Sequence, residues 1–347
     1  MLLDALATAT PEFALTQTEC WERAAHSQAR NRLSVGAQLL LRRVLTGESG
    51  ITKRHFAEHD FESLLEGSAD ELNARFREAA PRVASAALAK ALDRSGMDAG
   101  ALDALFVCTC TGYLCPGVSS YVAERLALRS DAYLQDLVGL GCGAAIPTLR
   151  SAQGFLAANP HARVACVAVE ICSAAFYVDD DPGVLISACL FGDGAAATIW
   201  SSGAGRGRWR LHGFDTLHIP EDRDHLRFEM RHGKLRNLLH RSVPARAARA
   251  VETLWSRRGT RPVESVAVHP GGRDVLAALE PVLAPYDLGP SARVLRAYGN
   301  MSSPSVLFVL EEILRERPEG RAGDVWLCSF GAGFAVHSCR LSPRGAD

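Results

Sequence analysis

The chain holds 347 residues, 48% of them hydrophobic and 22% charged, with a formal net charge of −1. That length suits two domain-sized halves or one large duplicated domain, and the charge balance excludes a global attraction to nucleic acid or an anionic membrane. The opening Met1-Leu-Leu-Asp-Ala5 lacks the basic and long apolar stretches of a secretory signal, and no run approaches the roughly 18 apolar residues of a membrane span, so a soluble, cytoplasmic protein is expected.

The pattern is one of strands alternating with amphipathic helices, the mark of an α/β chain. In the first half, strands are predicted over 102–109 and 133–139. A helix follows from 145 to 156, with Pro147 tolerated near its start. Further strands are predicted over 163–172 and 195–200. The second half repeats the order: a strand over 263–269 ends in Pro270-Gly-Gly272, another is predicted over 292–298, and Val306, Leu307, Leu310 and Leu314 mark a helix. Strands over 324–330 and 334–341 close the chain. This duplication is one of topology rather than of sequence. It places Cys142 and Asn300 at equivalent helix starts, with the join inside 201–223 and the halves taken as 1–205 and 206–347.

Ten cysteines are present without the spacing of a disulfide scaffold. Cys108, Cys110 and Cys115 lack the paired Cys-x-x-Cys or nearby His of a zinc site. No metal is expected, and most of the thiols read as small buried hydrophobes.

Three residues carry chemistry. A thiol at a helix start, as Cys142 is placed, meets free N–H groups and the positive end of the helix dipole, which favour the thiolate. Gly141 and Gly143 allow close approach of backbone or substrate. The other reading is a small buried residue at a tight turn. His269 at a strand end reads either as a catalytic or as a structural histidine, and Asn300 either as a donor or as an N-cap. Together they fit acyl transfer, in which a thiolate needs a polar partner and a developing oxyanion needs fixed donors.

Glu170-Ile-Cys-Ser173, Leu190-Phe-Gly-Asp-Gly-Ala-Ala-Ala197, Val268-His-Pro-Gly-Gly272 and Tyr298-Gly-Asn-Met-Ser-Ser303 resemble chalcone and stilbene synthases and their bacterial relatives, the type III polyketide synthases. Ala7-Thr-Ala-Thr-Pro11 and Ile51-Thr-Lys-Arg54 extend the likeness to the N-terminus. The resemblance implies thiolase-like duplicated βαβαβαββ halves in a layered α-β-α-β-α sandwich. It implies iterative decarboxylative condensation of malonyl-CoA onto an acyl-CoA starter held on Cys142, then cyclisation to a pyrone, resorcinol or other aromatic product. His269 and Asn300 would hold the thioester carbonyl and the enolate, Phe191 would be the gatekeeper, and Phe330-Gly-Ala-Gly333 would shape the cavity. No cofactor is implied beyond CoA thioesters. A homodimer is implied, and an acyl carrier protein is an alternative acyl donor.

Several positions depart from the plant pattern. Cys110 stands for a Thr in a network with Glu170 and Ser302, and a thiol is a weaker hydrogen-bond partner than a hydroxyl. Cys110 and Cys172 are shared with bacterial members. Ala175 and Ala332 replace Thr and Pro, which implies a roomier cavity. Cys115 replaces a Met that reaches into the partner subunit, and Asn237 replaces a pocket Phe. Arg42, Arg43, Lys53 and Arg54, with Gly271 and Gly272, are the candidates for CoA binding, and a solvated helix face is the other reading of those cations. A ketoacyl-ACP synthase III that stops after one condensation is the nearest alternative function.

Overall fold

The computed structural model describes residues 1–203, 207–316 and 323–344. The expected boundary at 205/206 lies outside them. Nine strands form the main sheet: β1 (Leu2–Ala9), β2 (Ala104–Thr109), β3 (Tyr133–Val138), β4 (Val164–Glu170), β5 (Gly194–Ser201), β6 (Trp209–His218), β7 (Val263–Val268), β8 (Asp324–Gly331) and β9 (Ala335–Pro343). Their order is β7-β8-β9-β6-β1-β5-β4-β2-β3. β2, β4 and β5 are buried along their whole length, as continuous apolar runs covered on both faces should be.

Among the helices that cover this sheet are α1 (Ala69–Ser95), α2 (Ala145–Ala158), α3 (Val243–Arg257), α4 (Arg273–Leu283), α5 (Gly289–Tyr298) and α6 (Ser305–Glu316). α1 begins on a reciprocal Ser68–Glu71 capping box and ends at left-handed Gly96. Its alanine-rich face packs on β1, β2, β4 and β5. α2 and α6 share one core with inward residues from both parts of the sheet, among them Phe106, Trp200, Val325 and Leu327. α3 and α4 cover the far face of β7 and β8. The layers therefore run α1, first half-sheet, α2 with α6, second half-sheet, α3 with α4, which is the expected α-β-α-β-α stack.

The half-sheets β1-β5-β4-β2-β3 and β6-β9-β8-β7 follow the same order, joined where Leu2 and Leu3 pair with Arg210 and Trp209. Among the described residues the second half has four strands to the first half's five. Residues 292–298, expected as a strand, lie in helix α5. Pro290 suits its first turn, Ser291, Val294 and Leu295 point inward at helical spacing, and Arg293 on the other face pairs with Glu312 and Glu316 of α6.

Parallel pairing of β2 with β3 and β4, and of β7 with β8, brings the C-terminal ends of each set to one edge. The candidate site residues follow those ends.

Candidate active site

After β3 the chain turns through left-handed Gly141 into a single 3-10 turn, Gly141–Gly143, that runs on into α2. Two glycines are required here by contact. A Cβ on Gly141 would lie 2.9 Å from the Ala332 nitrogen, and one on Gly331 would lie 2.6 Å from the Gly143 nitrogen. Cys142 is thereby pressed against the end of β8, and its thiol is buried beside the Ser302 hydroxyl.

His269 follows β7, its N–H bonded to the Cys328 carbonyl at 2.9 Å. The Phe330 ring meets it edge to face, 5.2 Å between centroids, and its Nδ1 is buried without a partner. Asn300 is not an N-cap, because α6 begins five residues later. Its Oδ1 accepts from the Ser302 N–H at 2.7 Å and its Nδ2 donates to the Gly271 carbonyl at 3.1 Å. Those bonds fix the amide orientation and leave the second Nδ2–H free for a ligand oxygen. Gly271 links the pair, since a Cβ there would stand 3.6 Å from His269 Nε2. Phe330 links His269 to the cysteine turn, its carbonyl carbon lying 3.5 Å from where a Gly143 Cβ would be.

Electrostatically, burial works against the thiolate that a helix start favours. Burial pushes the Cys142 thiol up to about 12, against a downward pull from Ser302, and pushes the His269 imidazole down to about 3. Desolvation thus opposes charge on both groups, and a thiolate–imidazolium pair would offset that penalty through mutual attraction.

Phe191 ends the helix Pro182–Leu190 and forms an isolated parallel bridge with Asn300. The Asn300 N–H donates to the Leu190 carbonyl and the Gly192 N–H to the Asn300 carbonyl, both at 3.0 Å. Phe191 lines a small cavity of about 30 Å³, along with Cys172, Ala175, Asn237 and Ser302.

Glu170 is fully buried. One carboxylate oxygen accepts from the Cys110 N–H at 2.9 Å, the Thr111 N–H at 3.1 Å and the Thr111 hydroxyl at 2.9 Å. The other accepts from Ser303 at 2.6 Å. Burial raises its pKa, and these bonds pull it back. Ser302, at φ +60°, reaches Cys110 Sγ at 3.3 Å. Burial likewise pushes the Cys110 and Cys172 thiols well up. The expected Cys110–Ser302–Glu170 group is therefore assembled, but Thr111 and Ser303, which sequence reasoning passed over, make its short bonds. Ser303 directly follows a singled-out serine, and that adjacency was the available signal.

Arg54 is not available to CoA phosphates. It is 2% exposed, and its donors go to the Gln17 side chain at 3.0 Å and to the Ala188 and Phe191 carbonyls at 2.7 and 2.8 Å. Its remaining nitrogen meets Cys20 Sγ at 3.5 Å, and the guanidinium lies over the Phe56 ring. Arg42, Arg43 and Lys53 are exposed. The Gly271 carbonyl is occupied by Asn300, and Gly272, at φ +154°, leads into α4.

The residues of the 330–333 loop lie apart from the smaller cavity. Phe330 packs on His269, whereas Ala332 and Gly333 line a separate open cleft of about 760 Å³ together with Cys110 and Tyr113. Of the two small replacements, Ala175 lines the cavity of about 30 Å³ and Ala332 the cleft of about 760 Å³. Cys115 is exposed and lines neither space. Cys328, buried in β8, is a strand residue.

A duplicated five-layer α/β chain with two central helices is the thiolase fold, shared by acyltransferases that work through a cysteine thioester. Residues 11–219 match the family described as FAE1/type III polyketide synthase-like protein, and residues 212–341 match the C-terminal domain of chalcone and stilbene synthases. The chain is 30% identical over 317 residues to 1,3,6,8-tetrahydroxynaphthalene synthase of Streptomyces peucetius subsp. caesius, covering 88% of this chain and 84% of that one. It is 32% identical over 266 residues to 3,5-dihydroxyphenylacetyl-CoA synthase of Streptomyces toyocaensis, covering 72% and 68%. The solved structure of the tetrahydroxynaphthalene synthase of Streptomyces coelicolor A3(2) superposes with a TM-score of 0.86 over 99% of both chains, at 26% identity. The chain belongs to the type III polyketide synthases, acyltransferases that carry out decarboxylative Claisen condensation, and not to the single-step ketoacyl-ACP synthases.

Proposed function

We propose that Cys142 takes an acyl group from a CoA starter and that malonyl-CoA extends it repeatedly before the product cyclises to an aromatic ring or pyrone. The observation that carries this reading is the fixed Asn300 amide, whose Nδ2 donates to the carbonyl of Gly271, two residues after His269, and keeps a second N–H for a ligand oxygen. In loading, His269 takes the thiol proton, the sulfur attacks the thioester carbon, the C–S bond to CoA breaks, and the proton passes to the CoA sulfur. In extension, the malonyl carboxylate leaves as carbon dioxide and its bonding electrons form an enolate held by His269 and Asn300. The enolate carbon then attacks the Cys142 thioester, and the released thiolate regains a proton. These steps need no electron carrier, and CoA arrives with the substrate. Intact-protein mass measurement after incubation with acyl-CoA should show one acyl group per chain, absent from Cys142→Ala. An adduct retained on that variant refutes the assignment.

Phe191 serves as the gate, Arg42, Arg43 and Lys53 as phosphate contacts, and CoA or a carrier protein as acyl donor. The cytoplasm, where CoA thioesters are made, is the site of action. No described helix is long and apolar enough to cross a membrane. A homodimer is supported by edge strand β3, which exposes Tyr133, Leu134 and Val138, and by the nearby Tyr113. Exposed apolar edge strands invite pairing, and Cys115 on the neighbouring loop would face the partner. Light scattering at micromolar concentration should give twice the chain mass, and an active monomer would refute the dimer.

A further inference from the structure

The small cavity beside Phe191 is lined in part by the two-stranded hairpin Leu226–Arg231 and Lys234–Leu239, and Asn237 is the hairpin's polar residue there. It is 3% exposed. Its orientation follows from a short relay. The Ser187 hydroxyl donates to the Gly183 carbonyl at 2.6 Å, so Ser187 Oγ must accept the bond of 2.7 Å from Asn237 Nδ2. The amide cannot flip without placing two acceptors together. Asn237 Oδ1 is therefore the end of the amide turned away from Ser187, and it is buried with no protein donor. The cavity that Asn237 lines has a largely apolar wall, including Phe176, Val184, Ala188, Phe228 and Leu235.

A buried acceptor in an apolar wall favours a ligand that brings a donor and discriminates against one that leaves it unmet. From this arrangement we infer that Asn237 Oδ1 recognises a hydroxyl group on the acyl chain inside the cavity. A wholly saturated chain offers nothing to it. The hydroxyl has two possible sources, a hydroxylated starter or an enol of the growing poly-β-keto chain, and both present the same O–H. This assignment rests on the reading of the cavity as the acyl site, so recognition is best measured apart from catalysis.

Equilibrium binding of 4-hydroxyphenylacetyl-CoA and phenylacetyl-CoA to Cys142→Ala separates the two questions, because no acyl transfer is required. For a starter hydroxyl, the hydroxylated thioester should bind about tenfold more tightly, and the double variant Cys142→Ala/Asn237→Leu should bind both alike. For a growing-chain hydroxyl, the two thioesters bind equally, but Asn237→Leu with intact Cys142 releases shorter products from phenylacetyl-CoA and malonyl-CoA. The inference is overturned if the two thioesters bind equally and Asn237→Leu yields unchanged products at an unchanged rate. It is also overturned if Asn237→Gln, which keeps an acceptor and a donor, fails to retain a preference that the parent shows. Failure of acyl loading on Cys142 would instead strike the catalytic reading and leave the binding comparison standing.

Discussion

Two spaces lie on either side of one thin wall. The cavity beside Phe191 holds about 30 Å³ and the cleft beside Cys110 about 760 Å³. Thr111, Phe228 and Leu235 line both. The contrast shows that small residues near a nucleophile do not by themselves make a large reaction chamber. Ala175 lines the smaller space together with Phe176 and the hairpin residues Phe228, Leu235 and Asn237. Room for a longer chain is held back by the wall.

The largest expected effect tests whether the cavity side carries the chemistry at all. Asn300→Ala should lower carbon dioxide release from malonyl-CoA by about 100- to 1000-fold, the usual consequence of removing one oxyanion donor. Unchanged release, measured with labelled malonyl-CoA, would detach Asn300 from the reaction. A smaller effect addresses how charge forms in so dry a place. If the Cys142 thiolate depends on an imidazolium at His269, then His269→Gln removes the favourable partner and the thiol titrates at higher pH. Iodoacetamide labelling at neutral pH should then slow by about tenfold, with the midpoint of the pH profile moving upward. An unmoved midpoint would show that the two groups do not pair.

The smallest effect concerns the wall. Phe228→Ala should join cavity to cleft and let the enzyme use longer acyl-CoA starters, with little change for acetyl-CoA. Each additional buried CH₂ contributes about 0.8 kcal/mol, about fourfold in affinity. A competition assay across chain lengths reads this as a rising slope. A flat response would mean that Phe228 does not divide the two spaces.

The sequence made much of this legible. Cys142, His269 and Asn300 follow strands or helices whose apolar patterns are strong, and these are the signals least disturbed by tertiary context. Helix α5 was hidden by the duplication itself. Symmetry called for a strand, whereas Ser291, Val294 and Leu295 carried the helical period. Arg54 was illegible for another reason. Nothing in Ile51-Thr-Lys-Arg54 shows that its partners are carbonyls about 134 residues away. A cation's role depends on its acceptors, and backbone acceptors leave no trace in composition. The unmet oxygen of Asn237 was equally hidden, because it arises from the Ser187 hydroxyl pointing elsewhere.

The bridge between Phe191 and Asn300 has a mechanical consequence. Two backbone hydrogen bonds tie the strands together, and the Arg54 guanidinium grips the Phe191 carbonyl from behind. A hinge at Phe191 would therefore drag the Asn300 amide out of register with His269. If Phe191 is the gate proposed above, its width has to change by rotation of the phenyl ring on a stationary main chain, which leaves the Asn300 backbone where it is.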